Sequence, residues 1–326
     1  MKASNDTERK RVVVIGGTGH IGSYLVPRLV ESGYDVVSVS RGSRNPYRHN
    51  SAWSQVEQVE IDRRKAEKEG TFGDRIRKLE PEVVMDLICY TPESAEKLVN
   101  ALRSKVQHLI LCGTIWIHGP SESVPTSEEE NRKPIGGYGR KKATIEKILH
   151  REARQNGFPA TVLHPGHIVG EGWAPLNPTG NFDTEVFADL SQGKEVAIPN
   201  LGMETVHHVH ADDVAQAFLK SAYNWNDALG ESFHITSPRA LTLRGYAESM
   251  AEWFGQEANL NFLPLEEWEE LVSEERAETT KDHIFHSPNC SIKKASDKIN
   301  YQPRYSSLQA VKESVSWLIE NGELEV

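Results

Sequence analysis

The chain has 326 residues, room for about two domains at ~150 residues each. Its 37 Lys and Arg against 47 Asp and Glu give a net charge of −10, which argues against a nucleic-acid partner, since that needs a basic face, but leaves room for small anions held by a few local arginines. The odd set Cys89, Cys112 and Cys290 shows no metal spacing and reads as reduced thiols of a cytoplasmic protein, and no apolar run approaches the roughly 20 residues of a membrane helix.

The start, "MKASNDTERKR", lacks the apolar stretch of a signal peptide and reads as a short disordered tail. "RVVVI" then runs into the glycine turn "GGTGHIG" and a helix over residues 20–32. "DVVSVS" and "QVEQVEI" follow, then a helix over 64–79, the run "EVVMDLI", a helix over 92–103 and the run "HLILCG". A longer helix is predicted over about 138–155, with a further strand at "ATVLH". Continuous apolar strands separated by helices specify a parallel sheet covered on both faces. The expected fold is therefore α/β, a Rossmann-type doubly wound parallel sheet of at least six strands. After Pro165, "GEGWAPLNPTGN" reads as a loop, "ETVHHVHADDVAQAFLKSAY" as strand then helix, and the region from about residue 238 as helix-rich. The predicted division is a dinucleotide-binding domain, residues 1–165 with 204–237, and a smaller, discontinuous substrate domain, 166–203 and 238–326.

Gly16, Gly19 and Gly22 sit at three-residue spacing between the first strand and the first helix. Lacking a Cβ, they allow a tight turn whose backbone N–H groups approach a pyrophosphate at the positive end of the helix. Many NAD sites place an acid about 20 residues further on for the ribose 2′-hydroxyl. Here the second strand ends in Ser40 and Arg41. A guanidinium pairs with a 2′-phosphate that a carboxylate would repel, so the cofactor expected is NADP(H), with NAD as the alternative. Arg44 and Arg63 are placed to assist. Asp62 fits either an acceptor for the adenine amino group or a helix N-cap.

Tyr138 and Lys142 are four residues apart in a helical pattern and so share a face. An ammonium beside a phenol favours the phenolate, and a phenol tuned this way exchanges a proton with an alcohol or carbonyl while a nicotinamide moves hydride. A hydroxyl residue, Thr114, is available at the end of the fifth strand in "LCGTIWIHG".

These motifs together resemble the short-chain dehydrogenase/reductase superfamily, in its extended branch of NAD-dependent epimerases, dehydratases and reductases, over nearly the whole chain. "GGTGHIG" matches its glycine motif, "TIWIHG" its strand-five motif, "HPGHIVG" its Arg-Pro-x-x-x-x-Gly motif and "HVHADDVAQAF" its His-Val-x-Asp-Val-Ala stretch. The resemblance implies Tyr138 as general acid/base, Thr114 as the holder of the substrate oxygen, and Lys142 on the nicotinamide ribose. It implies Thr18, His20 and Ile21 beside the pyrophosphate, Cys89 and Tyr90 on the nicotinamide side, and His164 and Pro165 next to the nicotinamide. It also implies a homodimer formed through the helix bearing Tyr138 and the helix before strand five.

The chain departs from that pattern in two places. The family's diphosphate-binding arginine is replaced at the aligned position by Val206, and no arginine stands in the register of the second, where Lys281 is nearby. A nucleotide-sugar substrate is therefore not expected, because a buried diphosphate without cations is costly. Trp116 fits either a stacking face for a ring substrate or simple packing, and His118 stands where the family more often has tyrosine. His167 fits either a substrate contact or a hydrogen-bonded structural histidine, and Asn181 is a further candidate for substrate contact. His207, His208 and His210 lack a carboxylate or Cys at ligand spacing, so no metal is expected. The leading reading is an NADP(H)-dependent oxidoreductase acting on an alcohol or ketone of a small molecule, with no membrane partner. An epimerase or dehydratase of a sugar-like substrate with recycled cofactor, and a non-catalytic dinucleotide-binding regulator, are the alternatives.

Overall fold

Most of the apolar runs become parallel strands buried on both faces, with helices as cover; the edge strand Glu57–Glu60 is largely exposed. A computed structural model describes residues 9–326; most of the expected N-terminal tail lies outside the described residues. In chain order the elements are β1 (Arg11–Ile15), α1 (His20–Glu31), β2 (Asp35–Ser40), β3 (Glu57–Glu60), α2 (Arg63–Lys68), α3 (Phe72–Arg77), β4 (Val83–Asp86), α4 (Pro92–Leu102), β5 (His108–Cys112), α5 (Gly136–Asn156) and β6 (Ala160–Pro165). They continue with β7 (His167–Val169), α6 (Glu185–Ser191), β8 (Val196–Pro199), β9 (Thr205–Val206), β10 (His208–His210), α7 (Ala211–Tyr223), α8 (Trp225–Ala228) and β11 (Ser232–Ile235). The last stretch holds β12 (Leu241–Thr242), α9 (Leu243–Trp253), β13 (Leu260–Leu263), α10 (Leu265–Glu269), α11 (Glu274–His286), α12 (Lys293–Ile299) and α13 (Ser307–Glu320).

Two compact units emerge, one of Met1–Gly113, Lys141–Leu163 and Ala215–Ser232, the other of Thr114–Arg140, His164–Val214 and Phe233–Val326. The large sheet has seven strands in the order β11-β6-β5-β4-β1-β2-β3, of which β1 to β5 lie wholly in the first unit. Every pairing from β6 to β3 is parallel, which gives the expected doubly wound α/β architecture. The order reverses at β1, between β2 and β4, and ligands bind outside the carboxyl ends of the strands at such a reversal. One core surrounds this sheet, with Val13, Val37, Val84, Leu98, Leu109 and Ile145 among its buried members.

One predicted helix divides. Residues 64–79 form α2 and α3, because Gly70 takes φ +72 and no continuing helix accepts that conformation. Asp62 caps α2, its Oδ1 accepting from Lys65 N at 3.0 Å.

The second unit packs around Phe187, Tyr246, Met250 and Val315. Short pairs β8–β13 and β7–β10 run parallel and β9–β12 antiparallel. The pairing of β7 with β10 sets His167 opposite His208. The Gly- and Pro-rich loop has no regular structure, yet a side-chain network orders it. Asn177 Oδ1 accepts from Thr179 N at 2.8 Å and from Thr179 Oγ1 at 2.9 Å, and Asn177 Nδ2 donates to Asn181 Oδ1 at 2.7 Å.

Candidate active site

The glycine turn in the first unit is built for close approach. Gly16 has φ +91, and a Cβ there would meet Ile88 at 2.9 Å; a Cβ on Gly22 would lie 2.2 Å from the Gly17 carbonyl oxygen. Helix α1 has Gly19 as its N-cap, which offers no side-chain cap, and there is no acid in its first turn. Its leading N–H groups are therefore left to an anion, which the helix dipole also favours.

A pocket of about 450 Å³ opens at this turn, within the usual range of ~300–1,000 Å³ for small-molecule sites. Gly16, Thr18 and Gly19 line it on the turn side, and Ile61, Asp62, Phe72 and Ile88 supply further walls. His20, Ile21 and Gly22 are buried at the helix start behind it. Ser40, Arg41, Arg44 and Arg64 also line the pocket. Arg44 donates to the Tyr47 hydroxyl at 3.0 Å, whereas Arg41 is exposed with no partner among the described residues. Glycine cradle, uncapped helix and unpaired cation together fit a dinucleotide phosphate.

Arg63 differs from its expected role. Its Nη1 contacts both oxygens of Asp86 at 2.8 and 2.9 Å, its Nε contacts Glu67 at 2.7 Å, and its guanidinium lies 4.9 Å over Phe72. Buried Asp86 and half-buried Glu67 hold it in the pocket wall, and of its guanidinium nitrogens only Nη2 lacks a partner among the described residues. Sequence reasoning missed Asp86; the signal was a lone acid inside the apolar run of β4, which a buried charge requires a partner to explain. Cys89 is fully buried and does not line the pocket; its neighbours Ile88 and Tyr90 do. Burial pushes the Cys89 thiol up to about 12. Lys142 is buried, donates from Nζ to the Cys112 carbonyl at 2.7 Å, and sits 5.0 Å over the Tyr90 ring.

In the second unit, the chain after β5 turns through a short 3-10 segment, Ile115–Ile117, capped by Thr114. Thr114 Oγ1 accepts from Trp116 N at 3.3 Å, which leaves its O–H to donate elsewhere. Thr114 N donates to His164 Nδ1 at 3.0 Å, so fully buried His164 anchors the end of β5's loop rather than facing open space. Pro165 closes β6 beside it. Tyr138 stands in the first turn of α5, half exposed, with its ring 6.2 Å from Trp116. Tyr138 and Lys142 lie one helical turn apart on α5.

The four substrate candidates divide. His118 Nε2 is 2.8 Å from His234 Nε2, and His234 N donates to Glu128 at 2.7 Å, so His118 belongs to a buried polar network. Asn181 is saturated: its Nδ2 donates to Thr179 and Thr280, and its Oδ1 accepts from Asn177 and Asp183. An amide has only those two donors and two acceptor sites, so Asn181 stiffens a loop instead of meeting a ligand. Trp116 and His167 are neighbours, 6.3 Å between ring centres, together with His283 and His286. The last two were missed; their three-residue spacing on α11, which brings them to one face, was the available signal. His167 is not a hydrogen-bonded structural histidine, for neither ring nitrogen has a partner among the described residues. The rings of His207, His208 and His210 go to separate partners, Ser237, Leu176 and Glu313.

Burial pushes His108, His207, His208 and His283 down to about 4. The unfolded chain protonates near the ordinary value of about 6.5, so stability is lost as pH falls from about 6.5 towards about 4. Burial raises the Glu128 and Asp213 carboxyls, which opposes this trend, but the histidines outnumber them. A urea midpoint clearly lower at pH 5 than at pH 7 is the expected result; equal midpoints would refute it.

Comparison with known proteins bears on all of this. Residues 12–235 match the model of the NAD dependent epimerase/dehydratase family. Among curated proteins, the chain is 24% identical over 316 residues to chloroplast stem-loop binding protein of 41 kDa b of Arabidopsis thaliana, covering 94% of this chain and 79% of that one. It is 25% identical over 279 residues to 2′-dehydrokanamycin reductase of Streptomyces kanamyceticus, covering 84% and 76%. Among solved structures, dTDP-glucose 4,6-dehydratase of Bacillus anthracis in complex with NAD superposes with a TM-score of 0.74 at 16% identity, over 96% of this chain and 98% of that one. None of the helices over the described residues is long and apolar enough to cross a membrane. The glycine turn, the sheet order and the family match over more than half its length agree: this chain belongs to the NAD-dependent epimerase/dehydratase family, and its relatives include a reductase, epimerases and a dehydratase.

Proposed function

We propose that the protein is an NADP(H)-dependent oxidoreductase that interconverts a secondary alcohol and a ketone on a small molecule. The observation that carries this reading is Tyr138 one turn before buried Lys142 on α5, in a chain whose first unit holds a glycine-lined pocket and an unpaired Arg41. The nicotinamide, when bound, supplies or accepts the hydride. Tyr138 Oη takes the alcohol proton in oxidation and returns it in reduction. Thr114 donates its hydroxyl hydrogen to the substrate oxygen, stabilising charge that develops there. The Lys142 ammonium favours the phenolate and holds the nicotinamide ribose. Gly16, Thr18, Gly19, His20, Ile21 and Gly22 carry the pyrophosphate in this reading.

Arg41 selects the 2′-phosphate. Charge-assisted hydrogen bonds contribute about 1.5–3 kcal/mol, so Arg41→Ala is expected to weaken NADPH binding by roughly 10- to 100-fold while NADH affinity holds. Fluorescence titration with both nucleotides measures this; comparable affinities for both, unchanged in the variant, would defeat the NADP(H) assignment.

The substrate in this reading lacks a nucleoside diphosphate. Val206 is fully buried, and Lys281 is paired with Glu269 at 2.6 Å, so neither offers a free cation. The relative that acts on dTDP-glucose points the other way, and titration with UDP-glucose decides between them. Net change in nicotinamide absorbance with substrate separates an oxidoreductase from an epimerase or dehydratase that recycles its hydride. The relative named for stem-loop binding favours a second reading, a dinucleotide-binding regulator; a stem-loop RNA shifted by the purified protein, with no turnover of any alcohol, would support it. The net charge of −10 counts against that outcome. Cytoplasmic residence and a homodimer formed through α4 and α5 belong to the same proposal.

A further inference from the structure

The second unit leaves one histidine without any polar contact. Both ring nitrogens of His167 are buried and lack a partner among the described residues. Buried polar atoms are nearly always paired, and an orphan needs an explanation. A neutral imidazole has one donor and one acceptor, so His167 leaves one of each unused.

Its surroundings decide what can satisfy it. The ring centre of His283 lies 5.0 Å away, that of His208 6.0 Å and that of Trp116 6.3 Å. Trp116 is 5.1 Å from His283 and stacks on His286 at 4.2 Å. The three neighbouring imidazoles have fixed tautomers. His283 Nδ1 is 2.7 Å from the Thr279 carbonyl, His286 Nδ1 2.6 Å from the Asp282 carbonyl, and His208 Nε2 3.0 Å from the Leu176 carbonyl. A carbonyl oxygen only accepts, so each of those nitrogens donates and the other nitrogen of each neutral ring is an acceptor. His208 Nδ1 and His286 Nε2 are buried with no hydrogen-bond partner among the described residues. Acceptors therefore outnumber donors around His167.

We propose that His167, His283 and His286, beside Trp116, form a substrate subsite for a donor-rich, non-anionic ring: a polyol or an amino-substituted cyclic polyol. Hydroxyl and amino groups bring the hydrogens these lone pairs lack. A carboxylate or phosphate would set acceptor oxygens against imidazole lone pairs and leave both unsatisfied, at a cost per buried group. Burial keeps the rings neutral by lowering their proton affinity, so they do not convert into cationic donors. Trp116 adds an aromatic face, and Phe182, 5.5 Å from His283, adds another. The inference rests on the reading of Tyr138 as acid/base, whose ring lies 6.2 Å from Trp116.

Calorimetric titration of the full chain, with and without NADPH, tests it using 2-deoxystreptamine and myo-inositol as donor-rich probes and glucuronate and glucose 6-phosphate as anionic ones. The donor-rich probes are expected to bind at least about tenfold tighter than the anionic ones. His167→Phe, which keeps the volume and deletes both nitrogens, should lower that affinity about tenfold or more, and His167→Gln, which restores a donor and an acceptor, should recover most of it. NADPH affinity and the thermal midpoint report whether each variant is folded, and His286→Phe repeats the test should His167→Phe not fold. Anionic probes binding as tightly, no donor-rich probe binding at about 10 mM, or full affinity in both Phe variants would overturn the proposal. Should NADPH fail to bind while the probe preference holds, the oxidoreductase reading falls and the subsite stands.

Discussion

Tyr138→Phe is expected to cut turnover by roughly 10²- to 10⁴-fold, the range for removing a positioned general acid/base, or about 3–5 kcal/mol of transition-state stabilisation. The change deletes one hydroxyl and keeps the ring that meets Trp116 edge-on at 6.2 Å. Tyr138 is 43% exposed, so its removal from water is incomplete and the folded state should lose little. Substitutions at such positions usually stay within about ±0.5 kcal/mol. The two readouts together make the test specific. Absorbance kinetics should collapse while NADPH titration and the thermal midpoint hold. A variant that retained more than a tenth of wild-type turnover would transfer the proton chemistry to another group.

Asp86→Ala should be the most destabilising single change near the dinucleotide pocket. Asp86 is fully buried, and Arg63, with a side chain 9% exposed, meets both of its oxygens. Removing one partner of a buried pair leaves an uncompensated charge, which typically costs about 3–5 kcal/mol. Glu67 still contacts Arg63 at 2.7 Å, which favours the lower end, about 3 kcal/mol. Because Arg63 also walls the pocket, NADPH affinity should fall with stability. The double variant Arg63→Met with Asp86→Leu removes both charges and should recover most of the lost stability, since apolar replacement of a whole buried pair is often neutral. Guanidinium unfolding of the three proteins measures this; an Asp86→Ala protein as stable as wild type would show that the guanidinium finds water.

The sheet was legible because burial on both faces writes itself as unbroken runs such as "VVVI" and "LILC", and because most runs lead into a helical pattern. The glycine turn was legible for a similar reason: Gly22 is forced by a backbone oxygen only five residues earlier in the chain. Contacts made across long sequence separations were not. Arg63 reads locally as one more basic residue at a pocket mouth, and only the pairing of strands brings Asp86 beneath it. Asn181 sits in a loop of the composition that often touches ligands, while the Thr280 hydroxyl that helps saturate it comes from α11, ninety-nine positions away. His167 is the opposite case. A buried histidine is usually hydrogen-bonded, and no pattern along the chain reveals that its neighbours present lone pairs instead of hydrogens. The division of α2 from α3 is a smaller case, in which Gly70 outweighed an apolar spacing that suits a single helix.

The loop around Asn177 has a bearing on protein engineering. Asn177, Thr179 and Asn181 close a ring of side-chain hydrogen bonds, and Thr280 Oγ1 both donates to the Thr179 carbonyl and accepts from Asn181 Nδ2. The segment behaves as a prefabricated corner whose last fastener is stored on a distant helix. Grafting residues 177–183 onto a cousin scaffold would transplant the shape only if the recipient also carries a threonine where Thr280 stands; loop and helix form a single heritable module.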